Sequence, residues 1–455
     1  MSPGLSLAEL ARRLGEEPER VRAWQARGLL GGDEPVGARA IASARLVQFL
    51  LRQGVPLEEL ARAFADELAH DVERYLDIRY PPHDPPVHTL EEACARIGIP
   101  PDTARRMTSA VGIADGDQFL CDEDVAALGW WATAIDAGMP EDAVLQLVRV
   151  YRETLARVAE AESRLFHFYV HEPLRATGLE GEALAAATLE RTLRVAPIIE
   201  PALRYFHRLA LAEASKEDML LHVGPSVVTR AHTPAQMQLA IVFTDLSSFT
   251  PLAEAMGDEA AIRVVQRFGA LVHEAAARWT GRVVKQIGDA AMLVFFDAQA
   301  AVSFALDIVG AVRVEPTFPA ARSGVHWGAA LYRDGDYFGA AVNLAARLVA
   351  VAGRHEVIVS SAVRERAAEI PAVEFRPRGP TALKGVAEAP ELFEAVRRDV
   401  EHAARLRDLV CGMELAPGEV AARLVLGDAE RVFCSESCLR RFVASPEQYL
   451  SRARG

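Results

Sequence analysis

Cysteine is scarce in this 455-residue chain, which has only Cys94, Cys121, Cys411, Cys434 and Cys438. An odd, sparse set argues against a disulfide framework and against a secreted mini-protein. Long apolar runs are missing too. None approaches the ~18 residues of a membrane span, so no membrane partner is expected. The first residues, MSPGLSLAELARR, bring charge in early and lack the apolar core of a signal peptide, so a cytoplasmic location is expected. Positive charge is in deficit: 50 Lys and Arg face 63 Asp and Glu, a net −13 that argues against general nucleic-acid coating. The remainder is ordinary globular composition, 51% hydrophobic and 25% charged. At roughly 150 residues per domain the length suggests about three domains.

The chain divides into four stretches. In the first, residues 1–75, Ser6 can cap a helix whose apolar positions are Leu7, Leu10, Ala11 and Leu14, and Gly15 stops it. A second helix follows Pro18 and ends at Gly28; others run through Leu46, Phe49 and Leu50 and from Leu57. Pro81, Pro82, Pro85 and Pro86 make Arg79 to Val87 a linker. The second stretch, 88–222, begins by repeating the first. Gly98 mirrors Gly15, an offset of 98 − 15 = 83, and Gly138 mirrors Gly54, an offset of 138 − 54 = 84. One offset shared by several motifs marks an internal repeat. Long helical patterns then run from about Ala143 to Leu174 and from Glu180 to His222, and Pro197 and Pro201 are expected to kink or break the second.

The third stretch, 236–397, changes period. Leu239 to Phe243, Arg282 to Ile287, Ala291 to Phe296 and Ser323 to Tyr332 read as strands, with helices between them. The order β-α-β-β-α-β is that of a split βαβ, ferredoxin-like α+β sheet. Asp245 follows the first strand's apolar run and Asp289 sits at a hairpin tip, and such a sheet can bring them side by side. Hard oxygen ligands with no nearby His or Cys suit Mg²⁺ or Mn²⁺. Alone, either residue reads equally as a helix cap or a turn aspartate. Ser247 to Thr250, including Phe249, opens a helix whose free N–H groups could hold phosphates. Asn343 and Arg347 lie four apart on one helix face, and Arg347 would place a fixed positive charge near a reacting phosphate. Lys285 is a charge in an apolar strand, on one face with Val283 and Ile287 by simple alternation, and Asp336 follows an Asp-Gly turn.

These residues fall in the blocks FTDLSSFT, VVKQIGDAAM, DYFGAAVNLAARL and ALKGV, and there the stretch resembles the catalytic domain of class III nucleotidyl cyclases. The spacings fit that pattern: 44 from Asp245 to Asp289, 4 from Lys285 to Asp289, 7 from Asp336 to Asn343, and 4 from Asn343 to Arg347. The resemblance implies that Asp245, Asp289 and the Leu246 carbonyl hold two Mg²⁺ or Mn²⁺ ions per site. It implies that Asn343 orients the ribose, Arg347 stabilises the transition state, and Lys384 meets the terminal phosphates. Lys285 and Asp336 resemble the base-reading pair, and their chemistry favours adenine, hence ATP as substrate. In that family one site draws its two residue sets from different subunits, which implies a homodimer.

The flanking stretches look regulatory. Residues 1–75 resemble a MerR-like winged helix, carried by Leu7 to Ala11 and Arg22 to Leu30. Arg20, Arg22 and Arg27 could face DNA, but Glu16, Glu17 and Glu19 oppose it, and Asp115, Asp117, Asp122, Glu123 and Asp124 oppose it in the second copy. A protein-interaction module is the favoured reading. Residues 88–222 are similar to the helical regulatory domain that precedes some actinobacterial adenylyl cyclases; His167, His171, His207 and His222 can titrate near neutrality there. Residues 407–452 resemble a YHS (treble-clef-like) module, with Cys411, Cys434 and Cys438 suited to zinc or copper but no evident fourth ligand. Adenylyl cyclase is the expected function. Guanylyl cyclase and a DNA-binding, metal-sensing regulator with a non-catalytic cyclase fold are the alternatives.

Overall fold

The computed structural model describes residues 6–30, 36, 38–65, 88–112, 119–223, 236–247, 249–316, 318–398, 406–415, 417–427 and 429–452. The expected linker from Arg79 to Val87, the acidic residues Asp115 and Asp117, and the His222 side chain lie outside the described residues. Two compact units divide the chain at residues 216 and 217.

The first unit is built on the repeat. Helices α1 (Leu7–Leu14), α2 (Pro18–Ala26), α3 (Ala38–Arg52) and α4 (Leu57–Ala65) are followed by α5 (Leu90–Ile97), α6 (Pro101–Val111), α7 (Asp122–Asp136) and α8 (Glu141–Phe166). Their starts are offset by 83, 83, 84 and 84 residues, so the sequence repeat is a structural one. Ser6 Oγ accepts from Glu9 N at 3.1 Å at the head of α1. Thr89 does the same for α5 and forms a full capping box with Glu92. Gly15 and Gly98 close these helices at φ 66° and 76°, a left-handed conformation that costs glycine nothing. Equivalent positions fill equivalent cores: Trp24 and Met107 are both fully buried, and Val36 matches Leu120 of the short strand β2 (Phe119–Leu120), which pairs with β1 (His88–Thr89).

Beyond α8 the chain makes one π-helical turn, His167–His171, then α9 (Glu172–Ala176) and α10 (Gly181–Val223). The expected break at Pro197 and Pro201 does not occur: α10 runs through both. Each proline orphans the carbonyl four residues back, on Leu193 and Pro197. Both of these residues are exposed, so water can satisfy what the helix loses.

The second unit holds the ferredoxin-like order expected from the sequence. Strand β3 (Gln236–Leu246) leads through α11 (Phe249–Met256) and α12 (Asp258–Arg278) to the hairpin β4 (Arg282–Ile287) and β5 (Ala290–Phe295). Helix α13 (Ala298–Val314) and the two-residue β6 (Phe318–Pro319) then lead to β7 (Ala321–Arg333), which turns into β8 (Asp336–Phe338). Helix α14 (Ala340–Val351) returns to β9 (Val357–Ser360), followed by α15 (Ser361–Arg366), β10 (Val373–Pro380) and β11 (Glu391–Arg397). The strand order is β10-β11-β9-β7-β3-β5-β4, with β8 paired to β7. One face packs on α12 and α13 through Val242, Leu293, Phe268 and Phe304. The other packs on α14 through Leu239, Ile241, Met292 and Ala345. Helix α14 can lie close because Gly324 has no side chain; a Cβ there would stand 2.3 Å from Val349 N.

The last residues form β12 (Leu406–Arg407), β13 (Met413–Leu415), the hairpin β14 (Ala422–Leu426) and β15 (Ala429–Phe433), and helices α16 (Glu436–Ala444) and α17 (Pro446–Arg452). Strand β13 pairs with β6, so this module is stitched to the connection that leads into β7 of the large sheet. Phe433 and Phe442 join the core under α13.

Candidate active site

The two aspartates meet at one end of the sheet. Asp245 stands near the end of β3, opposite Ala290 of β5 and Arg322 of β7. Asp289 forms the β4–β5 hairpin, and its carbonyl accepts from Leu246 N at 3.2 Å. Burial pushes the Asp289 carboxyl above the usual carboxylate range, and the charge of Asp245 adds to the rise. Two carboxylates brought to one end of the sheet, with the Leu246 backbone beside them, suit a hard divalent cation, so the residues present fit Mg²⁺ or Mn²⁺. Sequence reasoning missed Arg322, since it started that strand at Ser323. Arg322 Nε lies 2.6 Å from Asp245 Oδ1 and Nη2 lies 3.0 Å from Oδ2, a bidentate grip. Ser247 N donates to Ala320 O at 2.7 Å and fixes the chain just before α11, whose first residues are Phe249 and Thr250. Ser248 lies outside the described residues.

Lys285 and Asp336 meet elsewhere on the sheet. Simple alternation places Lys285 on one face with Val283, but the two lie on opposite faces. The β4–β5 register slips between Val283 and Lys285, so Val283 pairs with Leu293 and Lys285 with Met292. Leu293 belongs to the α12–α13 side and Met292 to the α14 side, so the bulge re-aims Lys285. There Lys285 Nζ forms an ion pair with Asp336 Oδ2. Tyr337 N holds the other oxygen of Asp336 at 2.8 Å. Asn343 and Arg347 share the exposed face of α14. Lys384 is exposed in the β10–β11 loop, anchored by buried Leu383 next to it. Among the described residues, no hydrogen bond or ion pair joins Asp245, Leu246 or Asp289 to Lys285, Asp336, Asn343 or Arg347.

The cysteines of the last module also converge. Cys434 Sγ lies 3.6 Å from Cys411 Sγ and 3.7 Å from Cys438 Sγ. Hydrogen bonds from Cys411 and Cys434 draw the Cys438 thiol well below the usual range, while bonds to its neighbours and burial push Cys411 up. Cys434 precedes α16 rather than lying in it, so turn geometry, not a helix face, brings it to Cys438. The carboxylate missed from sequence is Asp408, fully buried and grouped with the three thiols. It accepts from Val410 N and Cys434 N, both at 2.8 Å, and so ties the two cysteine-bearing segments together.

This module is joined to the large sheet's surroundings by charge as well as by β6. Glu414 on β13 takes Arg354 Nε at 3.0 Å and His355 Nε2 at 2.6 Å. Burial would raise the Glu414 carboxyl, but the His355 hydrogen bond and the charges of His355 and Arg354 outweigh it and hold the group at about 2. His355 N donates to Ala321 O at 2.8 Å, one residue from Arg322. Arg441 of α16 donates to the Glu254 carbonyl of α11 at 2.9 Å.

Among the described residues, no helix is long and apolar enough to cross a membrane. Residues 23–214 match the adenylate cyclase regulatory domain, and residues 232–394 match the adenylate and guanylate cyclase catalytic domain. An uncharacterized protein of Mycobacterium tuberculosis is 33% identical over 309 residues, 66% of this chain and 77% of that protein. The pH-sensitive adenylate cyclase of the same species is 28% identical over 383 residues, 82% and 90% of the two chains. An adenylate cyclase of Streptomyces coelicolor is 31% identical over 281 residues, 61% and 71% of the two chains. With both halves matched in order and the fold in agreement, the chain belongs to the class III adenylate and guanylate cyclase family, with a regulatory domain ahead of the catalytic one.

Proposed function

We propose that this protein is an adenylyl cyclase that closes ATP to 3′,5′-cyclic AMP and releases pyrophosphate. The observation that carries the choice of base is the Lys285–Asp336 pair. Adenine offers an acceptor at N1 for the ammonium and an exocyclic amine for the carboxylate, whereas guanine presents the reverse pattern on that edge. Asp245, Asp289 and the Leu246 carbonyl would hold Mg²⁺ or Mn²⁺, two per site, which when bound activate the ribose 3′-hydroxyl and hold the triphosphate. The 3′-oxygen bonds to the α-phosphorus, the bond from that phosphorus to the bridging oxygen breaks so that pyrophosphate leaves with the electron pair, and the hydroxyl proton passes to water. Asn343 orients the ribose and Arg347 offsets charge on the pentavalent phosphorus. Lys384 and the first N–H groups of α11, at Phe249 and Thr250, face the outer phosphates.

The separation of the two residue sets within one chain supports a homodimer with two like sites. One protomer brings the aspartates and its partner brings Lys285, Asp336, Asn343 and Arg347.

The outer modules regulate this dimer. Residues 1–75 form a MerR-like segment that works as a protein contact rather than a DNA reader. Arg20 is bound to Glu16 at 2.9 Å and lies over the Trp24 ring, which supports that reading. Residues 407–452 form a YHS-type module whose Cys411, Cys434 and Cys438 take a thiophilic ion such as zinc or copper. Its links through Glu414 and Arg441 give it a short route to Arg322 and α11.

The test is purified protein with ATP or GTP and Mn²⁺ or Mg²⁺, with the product identified. Cyclic AMP formed well ahead of cyclic GMP is expected. Cyclic GMP as the main product, or none from either nucleotide, would sink the reading.

A further inference from the structure

We propose that His167, His171 and Glu172 form a binding site for a borderline divalent transition-metal ion, of the zinc or nickel class, in the helical half of the chain. Each residue offers one ligand atom, and the three atoms lie within 4.8 Å of one another. The cause is local. Pro173 has no N–H to give the Tyr169 carbonyl, and its ring crowds that carbonyl. The helix responds by widening into the π turn His167–His171, in which Glu172 N donates to His167 O, five residues back. In an α-helix a residue five positions on lies about 140° round the axis. An i→i+5 turn closes most of that gap, so Glu172 swings onto the face that carries both histidines.

The two imidazoles are already aligned, with ring centroids 5.3 Å apart and planes 19° from parallel. His171 has the outer partner that ligating histidines usually have: its Nδ1 lies 3.3 Å from Oγ1 of buried Thr188 on α10. A proton held on Nδ1 leaves Nε2 free for a metal. Glu172 Oε1 stands 3.6 Å from His167 Nε2, and Arg175 Nη2 stands 3.4 Å from Oε2. Two imidazoles and a carboxylate match zinc, nickel or copper and are poor for magnesium. The site is therefore chemically distinct from both the aspartate pair and the thiol cluster, and it does not depend on the cyclase reading. An ion bound there would pin the π turn between α8 and α9.

The test is calorimetric titration of the full-length protein with Zn²⁺ in Mg²⁺-saturated buffer. Any zinc taken by the thiols is common to every variant, so differences report this site alone. His167→Ala and His171→Ala should each lose one equivalent of zinc. Thr188→Val should keep the stoichiometry and weaken that equivalent by about 10- to 100-fold. His167 is exposed and Glu172 half-buried, and His167→Ala and the near-isosteric Glu172→Gln keep the test open should the His171 change disturb folding. Unchanged zinc stoichiometry and affinity in His167→Ala and Glu172→Gln would overturn the proposal.

Discussion

Arg322 grips both carboxylate oxygens of Asp245 across the β3–β7 pairing, at 2.6 and 3.0 Å. A divalent cation and this guanidinium compete for the same oxygens. A guanidinium displaced there is left beside a polyphosphate, which it suits well. Replacing Arg322 with Gln should therefore tighten Mn²⁺ binding in the absence of nucleotide, measured by Mn²⁺ EPR. It should also lower kcat/KM for ATP by roughly 10- to 100-fold, the scale of one lost charge-assisted contact. Weaker Mn²⁺ binding in the variant would mean that Arg322 supports the aspartate rather than competing for it.

Asp289 shares its hairpin position with nothing that could replace it. Asp289→Asn keeps the shape and removes the charge, so turnover should fall by about a thousandfold or more. Near-normal turnover would remove the aspartate pair from the chemistry.

The proposed choice of base is carried by the Lys285–Asp336 ion pair, which the β4 bulge positions. Lys285→Glu combined with Asp336→Ser should depress ATP use more than GTP use, read as the ratio of the two kcat/KM values. An unmoved ratio would show that these residues do not read the base.

The face on which Lys285 sits was not legible in the sequence, although a charge in an apolar strand was. Alternation along Arg282 to Ile287 is a local rule, and a one-residue bulge inverts it. Nothing within six residues announces the bulge. Arg322 escaped for a related reason: its partner is 77 positions away, and only cross-strand register brings them together. The repeat was legible because caps, glycines and prolines are local signals, and they recur at one offset. The placement of Asp245 and Asp289 at one sheet end, and of Asn343 and Arg347 on one helix face, was legible because strand order and local spacing carry it. Pro197 and Pro201 do not break the helix, because its tolerance of proline depends on exposure, which is a tertiary property. Asp408 went unseen because a lone aspartate before a cysteine looks like any turn residue.

The Glu414 contacts make the docking of the last module sensitive to acid. The carboxyl's native value, about 2, lies below its ordinary 4.5. The stabilisation is therefore complete above about pH 4.5 and fades as pH falls through 2. Glu414→Gln should cost roughly 3 kcal/mol of unfolding free energy near neutrality, since it strands Arg354 and His355. The difference from wild type should shrink steadily in denaturation curves taken below pH 4. A gap that stayed constant to pH 2.5 would mean that Glu414 acts by shape, not charge.

Sharing of each active site between two protomers is tested most directly by complementation. Asp289→Asn spoils the metal half of both sites, and Arg347→Ala spoils the other half of both. In a mixed dimer both lesions fall in one site, and the second site is wholly wild type. Differently tagged mutants are co-expressed, the mixed dimers are purified through both tags, and cyclic AMP formation is measured. The predicted result is recovery up to about half of wild-type activity per mixed dimer, from two parents that are each inactive. Mixed dimers as inactive as either parent would contradict a site built from two independent halves.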